Sequence, residues 1–138
     1  VKDHLVKDWM TSNPVVISPK TAVPEAYRLM KERRVRRLPI VDRDQLVGIV
    51  TLGDVREASP SDATSLSIYE LNYLLTRLSV DQIMSREVLT VGPETTIREA
   101  ARLMLENKIG GLPVVENGKV VGILTESDIF RMIVQAWE

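Results

Sequence analysis

The chain repeats itself. The segment from Trp9 to Val55, "WMTSNPVVISPKTAVPEAYRLMKERRVRRLPIVDRDQLVGIVTLGDV", aligns without a gap on the segment from Ile83 to Ile129, "IMSREVLTVGPETTIREAARLMLENKIGGLPVVENGKVVGILTESDI", at a constant offset of about 74 residues. Met10 meets Met84, Pro19 meets Pro93, Thr21 meets Thr95, Leu38-Pro39 meets Leu112-Pro113, Gly48 meets Gly122, Thr51 meets Thr125 and Asp54 meets Asp128. Whatever one half folds into, the other must fold into as well. Each local signal is therefore read twice.

In each copy a short extended segment ("VVIS", "VLTV") stops at Pro19 or Pro93, because proline cannot donate to a strand ladder. An amphipathic helix follows. Its apolar stripe is Val23, Ala26, Tyr27 and Met30 in one copy and Ile97, Ala100, Ala101 and Met104 in the other, with Thr21 and Thr95 as expected N-caps. Two short apolar runs then flank Arg43-Asp44 or Asn117-Gly118. Asn-Gly is a strong hairpin signal, so both pairs are read as β-hairpins. A second helix starts near Gly53 and Ser127. The expected fold class is α+β: two pseudo-symmetric β-α-β-β-α units, each too small to bury a sheet face alone, packed sheet to sheet. The expected boundaries are 1–58 for the first repeat, 59–79 for a connector whose Leu71, Leu74, Leu75 and Leu78 suggest a helix, and 80–138 for the second repeat.

Composition excludes several functions. The chain has 138 residues, no Cys and a net charge of −1, which removes disulfide and thiolate chemistry and any overall basic field for nucleic acid. The absence of Cys fits a cytoplasmic location. No apolar run is long enough to span a bilayer. His4, the only His, is read as a solvated residue rather than a metal ligand, and no metal site is expected. Phosphate-loop and dinucleotide fingerprints are absent, as are Ser/His and Cys/His pairs, so no catalytic residues are assigned and the chain is not expected to be an enzyme. The five Met residues are read as core or subunit-contact residues, and Trp9 and Trp137 as packing for the terminal segments.

The ordered set of Met-Thr/Ser, Pro-x-Thr, Leu-Pro-[Ile/Val]-Val-[Asp/Glu], Val-Gly-Ile and Thr-x-x-Asp, present twice, resembles a tandem pair of cystathionine-β-synthase (CBS) domains, a Bateman module. The connector is faintly similar to that of small bacterial CBS proteins linked to acetoin utilisation. The resemblance implies a regulatory module that binds an adenine nucleotide (AMP, ADP or ATP), or S-adenosylmethionine, and changes conformation on binding, with no required cofactor. It also implies a disc-like homodimer, and an effector protein or domain as partner. A structural dimerisation or docking module without nucleotide is the rival reading. CBS pairs also occur as appendages of larger proteins, so whether the chain stands alone stays open.

The same resemblance implies that the Asp of Thr-x-x-Asp holds ribose hydroxyls and the Thr holds phosphate, in composite sites. One expected site joins Thr125 and Asp128 to Val15, Arg36 and Arg37; its twin joins Thr51 and Asp54 to Leu89, Gly110 and Gly111. The residues make the pair unequal. "RRVRRLP" supplies cations suited to phosphate where "NKIGGLP" supplies bare backbone, so the arginine-bearing site is expected to be the stronger. Without the repeat and the resemblance, the Thr and Asp residues would read as readily as helix caps; capping alone does not need the rest of the pattern. Arg33 and Arg34 are read as a solvated helix end.

Overall fold

The computed structural model describes residues 3–58 and 77–136, so most of the expected connector helix, with Leu71, Leu74 and Leu75, and also Trp137, lie outside the described residues. The chain divides into two compact units, and these interleave the repeats. The first-repeat unit comprises Val15–Arg43 and Val47–Val88; the second-repeat unit comprises Val1–Pro14, Asp44–Leu46 and Leu89–Glu138.

The chain runs α1 (Val6–Trp9), β1 (Thr11–Ser12), α2 (Val23–Arg33), β2 (Arg37–Asp42), β3 (Gln45–Thr51), α3 (Leu52–Ala58), a 3₁₀ turn (Val80–Gln82), α4 (Ile97–Asn107), β4 (Gly111–Glu116), β5 (Lys119–Thr125) and α5 (Glu126–Ala136). Helix, hairpin and helix recur in both repeats as the periodicity predicts. Val23, Ala26 and Met30 bury one face of α2, and Ile97, Ala100 and Met104 bury the matching face of α4. Tyr27 departs from the expected stripe. It is exposed, with the Lys31 ammonium 5.3 Å from its ring centroid.

Both hairpins turn through two residues of positive φ, Arg43 (52°) with Asp44 (63°) and Asn117 (53°) with Gly118 (80°), the geometry of a type I′ turn. Only the second has the residues that this turn favours. Replacing Arg43→Asn together with Asp44→Gly is expected to stabilise the chain by about 1 kcal/mol. An unchanged or lowered midpoint in urea unfolding would refute that expectation.

Two local expectations are corrected. The "VVIS" and "VLTV" segments are not strands of their own; each makes one isolated parallel bridge, Ile17 with Ile40 and Val91 with Val114. Prolines shortly after Ile17 and Val91 limit the pairing to the two backbone bonds around each residue, such as Val41 N–H to the Ile17 carbonyl (2.8 Å) and Val115 N–H to the Val91 carbonyl (2.8 Å). Likewise Thr21 and Thr95 do not cap helices. Thr95 Oγ1 accepts from Gly92 N–H (3.0 Å) and Thr21 Oγ1 shares a hydrogen bond with Ser18 Oγ (3.2 Å), so both close the preceding turn. The helix caps are Ala22, with no side-chain bond, and Thr96, whose hydroxyl accepts from Glu99 N–H (3.1 Å).

The missing edge strand comes from elsewhere in the chain. In the second-repeat unit the leader that opens the first repeat supplies β1, which pairs antiparallel with β5 in the order β1-β5-β4, Thr11 opposite Ile123 and Ser12 opposite Gly122. In the first-repeat unit the leader of the second repeat does the same in miniature, Ser85 bridging Ile49. Each leader also plugs a core. Val6, fully buried, belongs to the cluster with Val91, Leu112 and Leu124, and Val80, also fully buried, to the cluster with Val23, Leu38 and Ile40. His4, expected to be solvated, is half-buried; its Nδ1 accepts from Trp9 Nε1–H (3.3 Å) where this leader docks.

Candidate functional site

In the first-repeat unit the last residue of β3, Thr51, and the first turn of α3 form a reciprocal cap. Thr51 N–H donates to Asp54 Oδ2 (2.8 Å), and Asp54 N–H donates to Thr51 Oγ1 (3.1 Å). Beside it the backbone closes on itself, Leu52 N–H donating to the Arg36 carbonyl (2.8 Å). That bond brings the approach to β2 alongside the exit of β3. A cavity of about 370 Å³ results, lined by Arg36, Arg37, Thr51, Leu52, Gly53 and Arg56. Three arginines and a threonine in the lining of one cavity make a residue set suited to an anion with several oxygens. Val15 lies in the same unit, half-buried against its core.

The second-repeat unit has the same backbone and different side chains. Gly111 is the register partner of Thr125, and Glu126 N–H donates to the Gly110 carbonyl (3.1 Å), so here Thr125 stands beside glycines. The Asp128 carboxylate is buried. It accepts from Thr125 N–H (2.9 Å) and the Thr125 hydroxyl (3.3 Å) at Oδ2, and from Arg131 Nη1 (3.1 Å) and the Thr11 hydroxyl (3.5 Å) at Oδ1. Leu89, also in this unit, is exposed.

The resemblance joins Arg36 and Arg37 to Thr125 and Asp128, and Gly110 and Gly111 to Thr51 and Asp54; within each unit, Arg36 and Arg37 lie beside Thr51, and Gly110 and Gly111 beside Thr125. Hairpin register is the reason. The residues that precede the first hairpin strand return opposite those that end the second. Sequence reasoning missed Arg56 and Arg131. Arg131 lies three residues after Asp128 on the following helix, a spacing that could have flagged it, while Arg56, two residues after Asp54, carries no such signal. Among the described residues no group of three or more His, Cys, Asp or Glu could hold a metal ion, and no helix is long and apolar enough to cross a membrane.

Known proteins share this fold. The chain is 38% identical over 125 residues to inosine-5'-monophosphate dehydrogenase of Korarchaeum cryptofilum, covering 90% of this chain and 23% of that protein. It spans only part of several curated relatives, 64% of CBSX2 of Arabidopsis thaliana for example. Among solved structures, AcuB from Vibrio cholerae is 30% identical with a TM-score of 0.82, over 99% of this chain and 94% of that one. CBSX2 in complex with AMP is 34% identical with a TM-score of 0.80, over 98% and 99%. The CBS domain pair of protein MJ0100 in complex with 5'-methylthioadenosine and S-adenosyl-L-methionine is 28% identical with a TM-score of 0.81, over 98% and 99%. The CBS domain model itself matches residues 6–61 and 80–135. With two family matches that together contain both Thr-x-x-Asp caps and both hairpins, the chain belongs to the CBS domain family, which it carries as a tandem pair.

Proposed function

We propose that the chain is a non-catalytic regulatory module that binds an adenosine-containing ligand, AMP, ADP or ATP, at its Thr-x-x-Asp sites, and that the stronger site is the one holding Arg36, Arg37 and Arg56. The observation that carries this reading is the cavity beside Thr51, whose lining includes three arginines, a residue set suited to phosphate. Asp54 supports it. Its Oδ2 accepts from Thr51 N–H, which holds the carboxylate at the strand exit, and an ionised carboxylate can accept from two vicinal ribose hydroxyls. The complexes of CBSX2 with AMP and of the MJ0100 pair with 5'-methylthioadenosine and S-adenosylmethionine support the adenosine class. In this reading the glycine-flanked site at Thr125 takes a less charged ligand through backbone groups.

Isothermal calorimetry with AMP, ADP, ATP and S-adenosylmethionine tests the proposal. AMP is expected to bind, and Arg36→Ala to weaken its strongest binding event by about tenfold, the loss of one charge-assisted hydrogen bond. No heat with any of the four ligands, from protein that unfolds cooperatively, would overturn it. The rival, a homodimerising or docking module without nucleotide, is favoured by Phe130 and Val134, one turn apart on α5 and each 61% exposed. A tight dimer whose thermal stability no ligand raises is the result that would support the rival.

A further inference from the structure

The two Thr-x-x-Asp carboxylates differ in what already holds them. Arg131 Nη1 donates to Asp128 Oδ1 (3.1 Å), while its Nη2 donates to the carbonyl of Trp9 (2.8 Å). One guanidinium thus ties the carboxylate to the leader. The Thr11 hydroxyl adds a second tie on the same oxygen (3.5 Å). Both oxygens of Asp128 are engaged and its side chain is only 4% exposed. This leader is docked along its length, by Val6 N–H to the Thr95 carbonyl (2.8 Å), Lys7 N–H to the Pro93 carbonyl (3.0 Å) and the β1–β5 pairing.

The first repeat lacks this device. At the repeat offset, Glu57 occupies the position of Arg131, and a carboxylate has no proton to donate to either group at neutral pH. Ser85 occupies the position of Thr11, and its hydroxyl donates to the Glu87 carbonyl (3.4 Å) instead of reaching Asp54. The difference is chemical, and it lies at matched positions of a common backbone.

We propose that Arg131 is an autoinhibitory bridge: it holds the Asp128 carboxylate against the Trp9–Ser12 leader, so that a ligand takes this carboxylate only when the leader lets go. The proposal rests on the reading of Thr-x-x-Asp as a ligand site. It adds that occupancy of the second repeat is read out as release of the chain's N-terminal segment, whereas occupancy of the first repeat is not. A site whose competent form is only partly populated binds with an affinity reduced by that fraction, so removing the bridge raises affinity.

The test uses the full chain, with AMP and 5'-methylthioadenosine as probes. Hydrogen exchange at the amides of Val6, Lys7 and Met10 reports the leader, and calorimetry reports binding, with Asp128→Asn identifying which event belongs to that carboxylate. Arg131→Gln is expected to speed leader exchange and to tighten the Asp128-dependent event, each by about tenfold. Saturating probe is expected to speed leader exchange in the unaltered protein. Thr11→Val, at an exposed position, repeats the test should Arg131→Gln not fold. Leader exchange unchanged by both variants would overturn the bridge whether or not any probe binds. A probe that binds through Asp128 with an affinity indifferent to Arg131 would overturn the autoinhibition while leaving the nucleotide reading intact. Absence of binding to the unaltered chain and to both variants, with the leader loosened, would overturn both.

Discussion

Asp128→Ala is expected to destabilise the chain by about 3 kcal/mol, several times the loss from Asp54→Ala, which should stay near 1 kcal/mol. The two substitutions remove the same residue from the same cap, and the difference comes from what surrounds it. At Asp54 the loss is that of one exchanged pair of bonds with Thr51, at a half-buried position that water can reach. At Asp128 the carboxylate is buried, and its removal also leaves the Thr125 hydroxyl, the Thr11 hydroxyl and Arg131 without their acceptor. The Arg131 share is discounted, because its side chain is 48% exposed and the freed guanidinium is solvated again. Urea unfolding of both variants decides the matter. Equal losses would show that the wider network around Asp128 adds nothing to the cap.

Gly122→Val is expected to cost about 3 kcal/mol as well, through crowding instead of lost bonds. A Cβ at Gly122 would stand 2.5 Å from Met10 Sδ and 3.0 Å from the Thr11 carbonyl oxygen. The thioether can swing aside. The carbonyl cannot, because it belongs to β1, which is registered on β5 at Thr11 and Ser12. Gly122→Ala combined with Met10→Ala is expected to recover part of what Gly122→Ala loses, since the shortened side chain vacates the nearer obstacle. Gly122→Val unfolding at the same urea concentration as the parent would show that the leader does not sit on β5.

Helices and hairpins were readable because their signals are local: a stripe such as Ile97, Ala100 and Met104, or the turn at Asn117-Gly118. The edge strands were not. A leader that docks on the other repeat leaves the order and offset of the two copies unchanged, so self-comparison cannot register it. The neighbours of Thr51 lie between these cases. Counting outward from the Arg43-Asp44 turn places Arg36 opposite Thr51, whereas the Leu52 N–H bond to the Arg36 carbonyl pairs Arg36 with Leu52, one residue beyond that count, as the register shift between Val114 and Val115 does in the second hairpin. The four-way engagement of Asp128 was invisible for a different reason: Thr11 and Arg131 meet only once the leader is in place.

The exchanged leaders change how the duplication can diverge. Met10 and Gly122 must fit each other, and so must Met84 and Gly48, although within each repeat the Met and Gly never touch their own counterparts in this way. A substitution that suits one copy is therefore judged by the other. The two copies differ at Arg36 and Gly110, which among the described residues hold no such cross-repeat contact with a leader, but at the leader contacts they are bound to change as pairs across the whole length of the chain.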